Sequence, residues 1–396
     1  MNTLKDQFLL DPSITFLNHG SFGACPRPVF ETYQYWQREL EHQPVEFLKR
    51  RAAELLAKSR ERLASYLGVE SEEVVYFTNP TSAINMVAKN MVYHESQKNN
   101  NHIIPELRKG DEILATDHEY GAMDRTWRFI CKQSGARYIN HPIHLPVRST
   151  KDIIESIWER VTDRTRILFV SHITSPTALT FPVSEICQKA RRAGILTIID
   201  GAHAPGQIAL NLKEVGADIY TGACHKWLCA PKGSAFLYVR KELQEGFDPL
   251  VVSWGYESAQ PSYSRFIDYH EWQGTRDLAA FLSVPSAIDF QLQNDWQKIR
   301  KDCHTLGSET RSRIDSITGL EPICPDDWFH QMFSTRLAKE IEIDLLERNL
   351  YEKFHIEVPI ISWNDQNMIR VSFQGYNGKK DADLLLEALK YSLGKF

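Results

Sequence analysis

The sequence predicts an α/β fold with a mostly parallel sheet and helices on both faces, and two observations carry that prediction. Apolar runs of strand length alternate with segments of helical spacing through most of the chain before its last third. Polar residues with useful chemistry stand just past the ends of several of those runs, where an open parallel sheet presents groups to a crevice. The composition is ordinary for a soluble chain: 396 residues, 42% hydrophobic and 24% charged, with a formal net charge of −5.

That charge gives no support for nucleic acid or an anionic membrane as a partner. No apolar run is long enough for a transmembrane helix. The start, Met1-Asn2-Thr3-Leu4-Lys5-Asp6, lacks the apolar stretch of a signal peptide, so the cytoplasm is the expected compartment. The 7 cysteines (Cys25, Cys131, Cys187, Cys224, Cys229, Cys303 and Cys324) are scattered and odd in number, which predicts free thiols. His118-Glu119 and His270-Glu271 lack the second histidine of a helical zinc site, and no metal is expected.

Buried strands are expected at residues 74–77, 112–115, 167–170, 195–199, 218–220 and 235–239. The first runs through Phe77-Thr78-Asn79-Pro80-Thr81-Ser82 into a helix. The first turn of that helix offers free N–H groups and the positive end of its dipole to a phosphate, with Thr81 and Ser82 adding hydroxyls. The plain alternative is a helix cap. Asp117-His118-Glu119-Tyr120 follows the second strand. His118 and Tyr120 are both candidates to stack on a ring or to act as acid/base, and the sequence does not choose between them. Ser171-His172-Ile173-Thr174-Ser175-Pro176-Thr177 follows the third; Ser175 is a candidate hydroxyl there, although such clusters beside proline are more often plain loops. Val183, Ile186, Cys187 and Ala190 then recur at helical spacing, and Gly194 stops the helix.

The next two strands are the most informative. One ends in Asp200-Gly201-Ala202-His203 and the other in Thr221-Gly222-Ala223-Cys224-His225-Lys226-Trp227. A carboxylate and a lysine at adjacent strand ends suit a cofactor with a basic pyridine nitrogen and an aldehyde. The carboxylate keeps the ring nitrogen protonated, and the lysine holds the aldehyde as a Schiff base. That cofactor is pyridoxal 5′-phosphate. From about Phe281 the pattern changes to helices at 285–294 and 299–316, short strands, and a last helix at 380–394. The expected division is an amino-terminal arm (1–20), a large cofactor-binding α/β domain (21–280) and a smaller α+β domain (281–396), without a Gly/Ser-rich or Pro-rich linker.

With these pieces assembled, the chain resembles the class V aminotransferases, fold-type I pyridoxal-phosphate enzymes, and within them the isopenicillin N epimerase group. The likeness lies in Phe16-Leu17-Asn18-His19-Gly20-Ser21-Phe22-Gly23, residues 43–47, the strand-end motifs above, Gln273-Gly274-Thr275-Arg276-Asp277 and Arg370-Val371-Ser372. The resemblance implies that Lys226 holds the cofactor, Asp200 pairs with its ring nitrogen and His203 sits near its phenolic oxygen. It also implies that Thr81 and His225 hold the phosphate, that Thr275 reaches it from the second subunit of a homodimer, and that Arg370 clamps the carboxylate of an amino-acid substrate. Asn18 is a further substrate-binding candidate. Two positions depart from the family pattern: Ser175 stands where an Asn is common, and Ala223 where a Ser is common. Thr221 is the candidate to supply the phosphate hydroxyl that Ala223 lacks.

Lys226, released by the substrate amine, is placed to remove the Cα proton. Return of the proton on the opposite face is epimerisation, loss of a β-sulfur group is C–S lyase chemistry, and return at the cofactor carbon is transamination. Epimerisation is the first expectation, a C–S lyase the alternative and a transaminase the second alternative. Desulfurase chemistry needs a nucleophilic cysteine shortly before the C-terminal arginine, and no cysteine follows Cys324. A non-catalytic member that binds pyridoxal phosphate or an amino acid as a sensor is the rival from another class, and the presence of Lys226, Asp200 and Arg370 together weighs against it.

Overall fold

The computed structural model describes residues 4–92 and 103–394. Its strands in chain order are β1 (Thr15–Phe16), β2 (Val74–Phe77), β3 (Glu112–Thr116), β4 (Arg137–His141), β5 (Thr165–Ser171), β6 (Leu196–Asp200), β7 (Ile219–Ala223), β8 (Ala235–Val239), β9 (Met332–Leu337), β10 (Ile356–Glu357), β11 (Ile360–Trp363) and β12 (Gln366–Ser372). Seven of them form the main sheet in the order β2-β8-β7-β6-β5-β3-β4. From β7 to β4 every neighbour pairs parallel, while β8 runs antiparallel to both β7 and β2.

Burial explains which strands the sequence reveals. β2, β3, β6, β7 and β8 are buried along their whole length, as a sheet covered on both faces requires, so they read as mainly apolar runs. The edge strand β4 (Arg-Tyr-Ile-Asn-His) is half-buried and mostly polar, so no apolar run announces it. The chain leaves β3 for β4 on one side and then crosses to β5 on the other. That reversal opens a crevice at the C-terminal ends of β3 and β5.

The last third carries a three-stranded antiparallel sheet, β11-β12-β9. The helix Trp296–Thr318 packs on β9 and on the last helix, Lys379–Ser392. The helix expected at 285–294 is Val284–Gln293, with Pro285 in its first turn where a missing N–H costs nothing. In the amino-terminal segment β1 pairs parallel with β10, Thr15 opposite Ile356 and Phe16 opposite Glu357. One buried apolar cluster runs from Phe8 and Leu17 through Val170 and Tyr220 to Val371 and Leu389, joining both sheets without a linker. All seven cysteines are free thiols. Among the described residues no helix is long and apolar enough to cross a membrane.

Candidate active site

A cavity of about 240 Å3 lies at the strand-end crevice, lined by Tyr120 after β3, Ser171 and Ser175 at the end of β5, Asp200 at the end of β6, and His225 and Lys226 after β7. Each side chain sits at or just past the end of a buried strand, so rigid backbone positions it. Asp200 is buried, and its Oδ1 accepts from the Ala202 backbone N–H at 2.9 Å. Burial pushes its carboxyl above the usual range, and the Ala202 N–H and nearby Lys226 oppose that rise. Lys226 points into the same space with its Nζ 3.0 Å from Nε2 of His203. Burial, helped by the positive charge of Arg370 and opposed by Asp200, brings the amine down to about 7.

Arg370 comes to this cavity from β12 in the other sheet. Its guanidinium is buried, and burial lowers it to about 10. Nη1 donates to the Ser175 carbonyl at 2.6 Å and to its hydroxyl at 3.2 Å, Nη2 donates to the Ser21 hydroxyl at 3.0 Å, and Nε has no partner among the described residues. A buried guanidinium held by neutral groups alone is short of an anion. The amino-terminal motif reaches the cavity through Gly20, Ser21 and Phe22. Gly23 closes it at φ +68, where a Cβ would lie 2.0 Å from the His225 carbonyl oxygen. Only glycine permits both that conformation and that approach.

Residues 25–385 match the aminotransferase class-V family. The chain belongs to that family. It is similar over 98% of its length to isopenicillin N epimerase of Amycolatopsis lactamdurans, 37% identical and covering 97% of that protein. It is also similar to a probable chloroplastic L-cysteine desulfhydrase of Arabidopsis thaliana, 28% identical over 96% of this chain and 83% of the relative. Among solved structures, the apo cysteine desulfurase of Thermococcus onnurineus NA1 superposes with a TM-score of 0.81, covering 100% of this chain and 99% of that one at 18% identity. Membership makes this a pyridoxal-phosphate enzyme of fold type I.

The class-V cavity has a donor set that fits the cofactor. Asp200 is a buried carboxylate facing it, Lys226 is an amine without a carboxylate hydrogen bond, and Thr81 lies in the first turn of the helix Pro80–Asn90. His225 also lines it; its Nδ1 lies 3.0 Å from the Ser234 carbonyl oxygen and burial lowers the ring to about 4.

Several expected residues lie elsewhere or are already engaged. His118 is wholly buried, with Nδ1 bound to the Thr177 hydroxyl at 2.7 Å, Nε2 bound to the Ile143 carbonyl at 3.0 Å and its ring against Trp363. It lines no part of the cavity, and both its nitrogens are used; Tyr120 is the one of the pair that faces the site, half exposed. Thr221 is buried inside β7, its hydroxyl donating to the Phe236 carbonyl at 2.7 Å, so it does not supply the phosphate hydroxyl that Ala223 lacks. The Ser82 hydroxyl turns back to Asn79 at 3.1 Å. Asn18 stands behind the wall, accepting from the Ser21 hydroxyl and donating to Glu357 at 2.8 Å. Ser175 lines the cavity but is tied to Arg370. Thr275 is exposed and outside it.

Glu119 is a residue that sequence reasoning does not single out. It is buried, and its two oxygens accept from the Thr116 and Ser171 hydroxyls, each at 2.6 Å. Burial, with Asp200 nearby, outweighs those donors and pushes its carboxyl up to about 8. Its only signal in the sequence is its place beside Tyr120 at a strand end.

Proposed function

We propose that this class-V enzyme holds pyridoxal 5′-phosphate on Lys226 and binds an amino acid by its α-carboxylate at Arg370. Lys226 then removes the Cα proton, which is returned on the opposite face: an epimerisation or racemisation. The observation that carries the reading is the pairing of a lysine lowered to about 7 with a buried arginine whose partners are neutral oxygens, both on one cavity. In this reading Arg370 fixes the substrate so that its Cα–H faces Nζ. Asp200 is assigned to the protonated ring nitrogen, His203 to the phenolic oxygen, and Thr81 with the helix N-terminus to the phosphate. When bound, the cofactor supplies a sink for the electron pair released at Cα. His225 has its Nδ1 proton on the Ser234 carbonyl, so it donates to phosphate only as imidazolium, a form that the phosphate charge itself favours. Tyr120 is assigned to the ring face and as the second acid/base. The similarity to isopenicillin N epimerase supports the isomerase reading.

C–S lyase chemistry is the second reading. The cysteine-desulfhydrase relatives favour it, and β-elimination asks for Lys226 alone as base. No cysteine lines the cavity among the described residues, which disfavours persulfide transfer. We further infer a homodimer in which Thr275 serves the partner's phosphate. Exposed Val252, Trp254 and Tyr263, on the segment before Thr275, are apolar surface that pairing would cover. A reducing cytoplasm suits the free thiols. The divisions near residues 20 and 280 are our proposed domain limits.

The test is incubation of the holoenzyme with single enantiomers of a panel of amino acids in D2O. Deuterium at Cα with inversion is the expected result. Pyruvate and ammonia from a sulfur amino acid without inversion would replace it with the lyase reading. A protein that takes up no cofactor would end both.

A further inference from the structure

Trp227 follows Lys226 directly and is wholly buried. Its indole Nε1 lies 3.2 Å from Nδ1 of His203, and the other nitrogen of that imidazole lies 3.0 Å from Nζ of Lys226. An indole N–H can only donate. Nδ1 of His203 is therefore the acceptor, and a neutral imidazole with a bare Nδ1 carries its proton on Nε2. The nitrogen facing Lys226 is thus a donor. It needs a lone pair on Nζ, which a free amine has and an ammonium lacks.

We propose that Trp227 is a positioning residue for the chemistry: it fixes the tautomer of His203, which then presents an N–H to Lys226 and holds that lysine as the free amine. A free amine is the form that takes up an aldehyde and accepts a proton, so the device deepens the role given to Lys226 above and rests on that role.

The chain around Trp227 is built to hold the indole still. Its ring sits 4.9 Å from that of His19, whose Nε2 lies 3.1 Å from the Lys226 carbonyl oxygen. Gln291 Nε2 donates to the Trp227 carbonyl at 2.8 Å. Ile173, Ala178 and Met332 pack with the indole in a small buried cluster of their own. Gly206 takes φ +88, and a Cβ there would meet the Trp227 carbonyl oxygen at 2.2 Å, so the turn after His203 and the turn after Lys226 interlock. Gln207 Nε2 donates to the His203 carbonyl at 2.8 Å and fixes the other partner.

The charged and titratable groups around the pair are Arg370, Asp200, His225 and His19. Arg370 favours the free amine and Asp200 opposes it. Burial, then Lys226 and Arg370, keep His203 far below its ordinary value, so it remains neutral and its tautomer is the variable that matters.

The deciding measurement is the nitrogen NMR spectrum of the full-length protein labelled at histidine, with cofactor bound and after its removal. A proton on Nε2 of His203 and none on Nδ1 is expected in the wild-type protein, and this needs no variant to fold. Trp227→Phe keeps an aromatic ring and deletes the donor, together with part of the buried indole volume. In it the proton should move toward Nδ1, and the midpoint for pH-dependent acylation of Lys226 in the cofactor-free protein should rise by about one unit, roughly tenfold less free amine below the midpoint. His203→Gln should abolish that response to Trp227→Phe. A proton on Nδ1 in the wild type, or a midpoint unmoved by Trp227→Phe, overturns the proposal. Were Lys226 not the cofactor lysine, Lys226→Ala would keep the cofactor's colour whatever the tautomer of His203, so the two failures are told apart.

Discussion

Lys226 differs from the surface lysines of this chain only in where the strand end puts it. Burial is the largest cause of its lowered value, Arg370 adds to it and Asp200 limits it. Lys226→Ala should abolish the visible absorbance that pyridoxal phosphate gives to the protein; a yellow colour that survives the change would refute the assignment. Arg370→Ala removes the charged donor that we propose for the substrate carboxylate. It should cost about 2 kcal/mol of substrate binding, roughly 30-fold in affinity, read as a rise in KM with the cofactor spectrum retained. Glu119 makes a prediction about pH. Its carboxyl is raised from an ordinary 4.5 to about 8, so the unfolded chain gives up this proton first as pH rises. The stability Glu119 contributes is full below about 4.5 and is lost as pH climbs through about 8. Glu119→Gln should therefore flatten the fall of the urea midpoint between pH 5 and pH 8; an unchanged slope would mean the carboxyl is already ionised in the folded protein.

Elements matter to the site through their ends. The helix Pro80–Asn90 begins with Pro80 in its first turn and Asn79 as its cap, the Asn79 side chain accepting from the Ser82 N–H at 2.8 Å. The cap explains why Ser82, plausible as a phosphate ligand from its position, is spent on the helix itself. Asn79→Ala should cost about 1 kcal/mol of stability, measured by thermal unfolding of the cofactor-free protein, and should loosen cofactor retention in dialysis. A fall in stability with retention unchanged would separate the cap from the phosphate seat. At the other extreme, Thr221 sits inside β7 and its hydroxyl is consumed by the neighbouring strand β8. Position in sequence put Thr221 near Lys226; the pleat pointed it into the sheet.

At the scale of the whole molecule, the cavity is assembled from segments far apart in the chain. Ser21 near the amino terminus, Ser175 in the middle and Arg370 near the end meet at one guanidinium. The parallel pairing of β1 with β10 is what brings the first of these to the last. The proposed homodimer belongs to this scale as well. Thr275→Ala should weaken cofactor retention, and mixing it with Lys226→Ala subunits should restore sites that hold the cofactor on a wild-type lysine and a wild-type threonine from different chains. Failure of the mixture to restore retention would place Thr275 outside the partner's site.

The sequence by itself determined the α/β class, the strands buried on both faces, the Asp200 and Lys226 pair and the cofactor they imply. These are legible because a buried strand must be apolar, and a polar group at its end stands out against that background. Tertiary structure alone decided the rest. It turned His118 into the core and left Tyr120 at the cavity, set Glu119 under Ser171, brought Arg370 to Ser21 and Ser175, and laid Trp227 against His203. Those outcomes depend on the direction of each side chain and on contacts between segments distant in the chain, and no local pattern records either one.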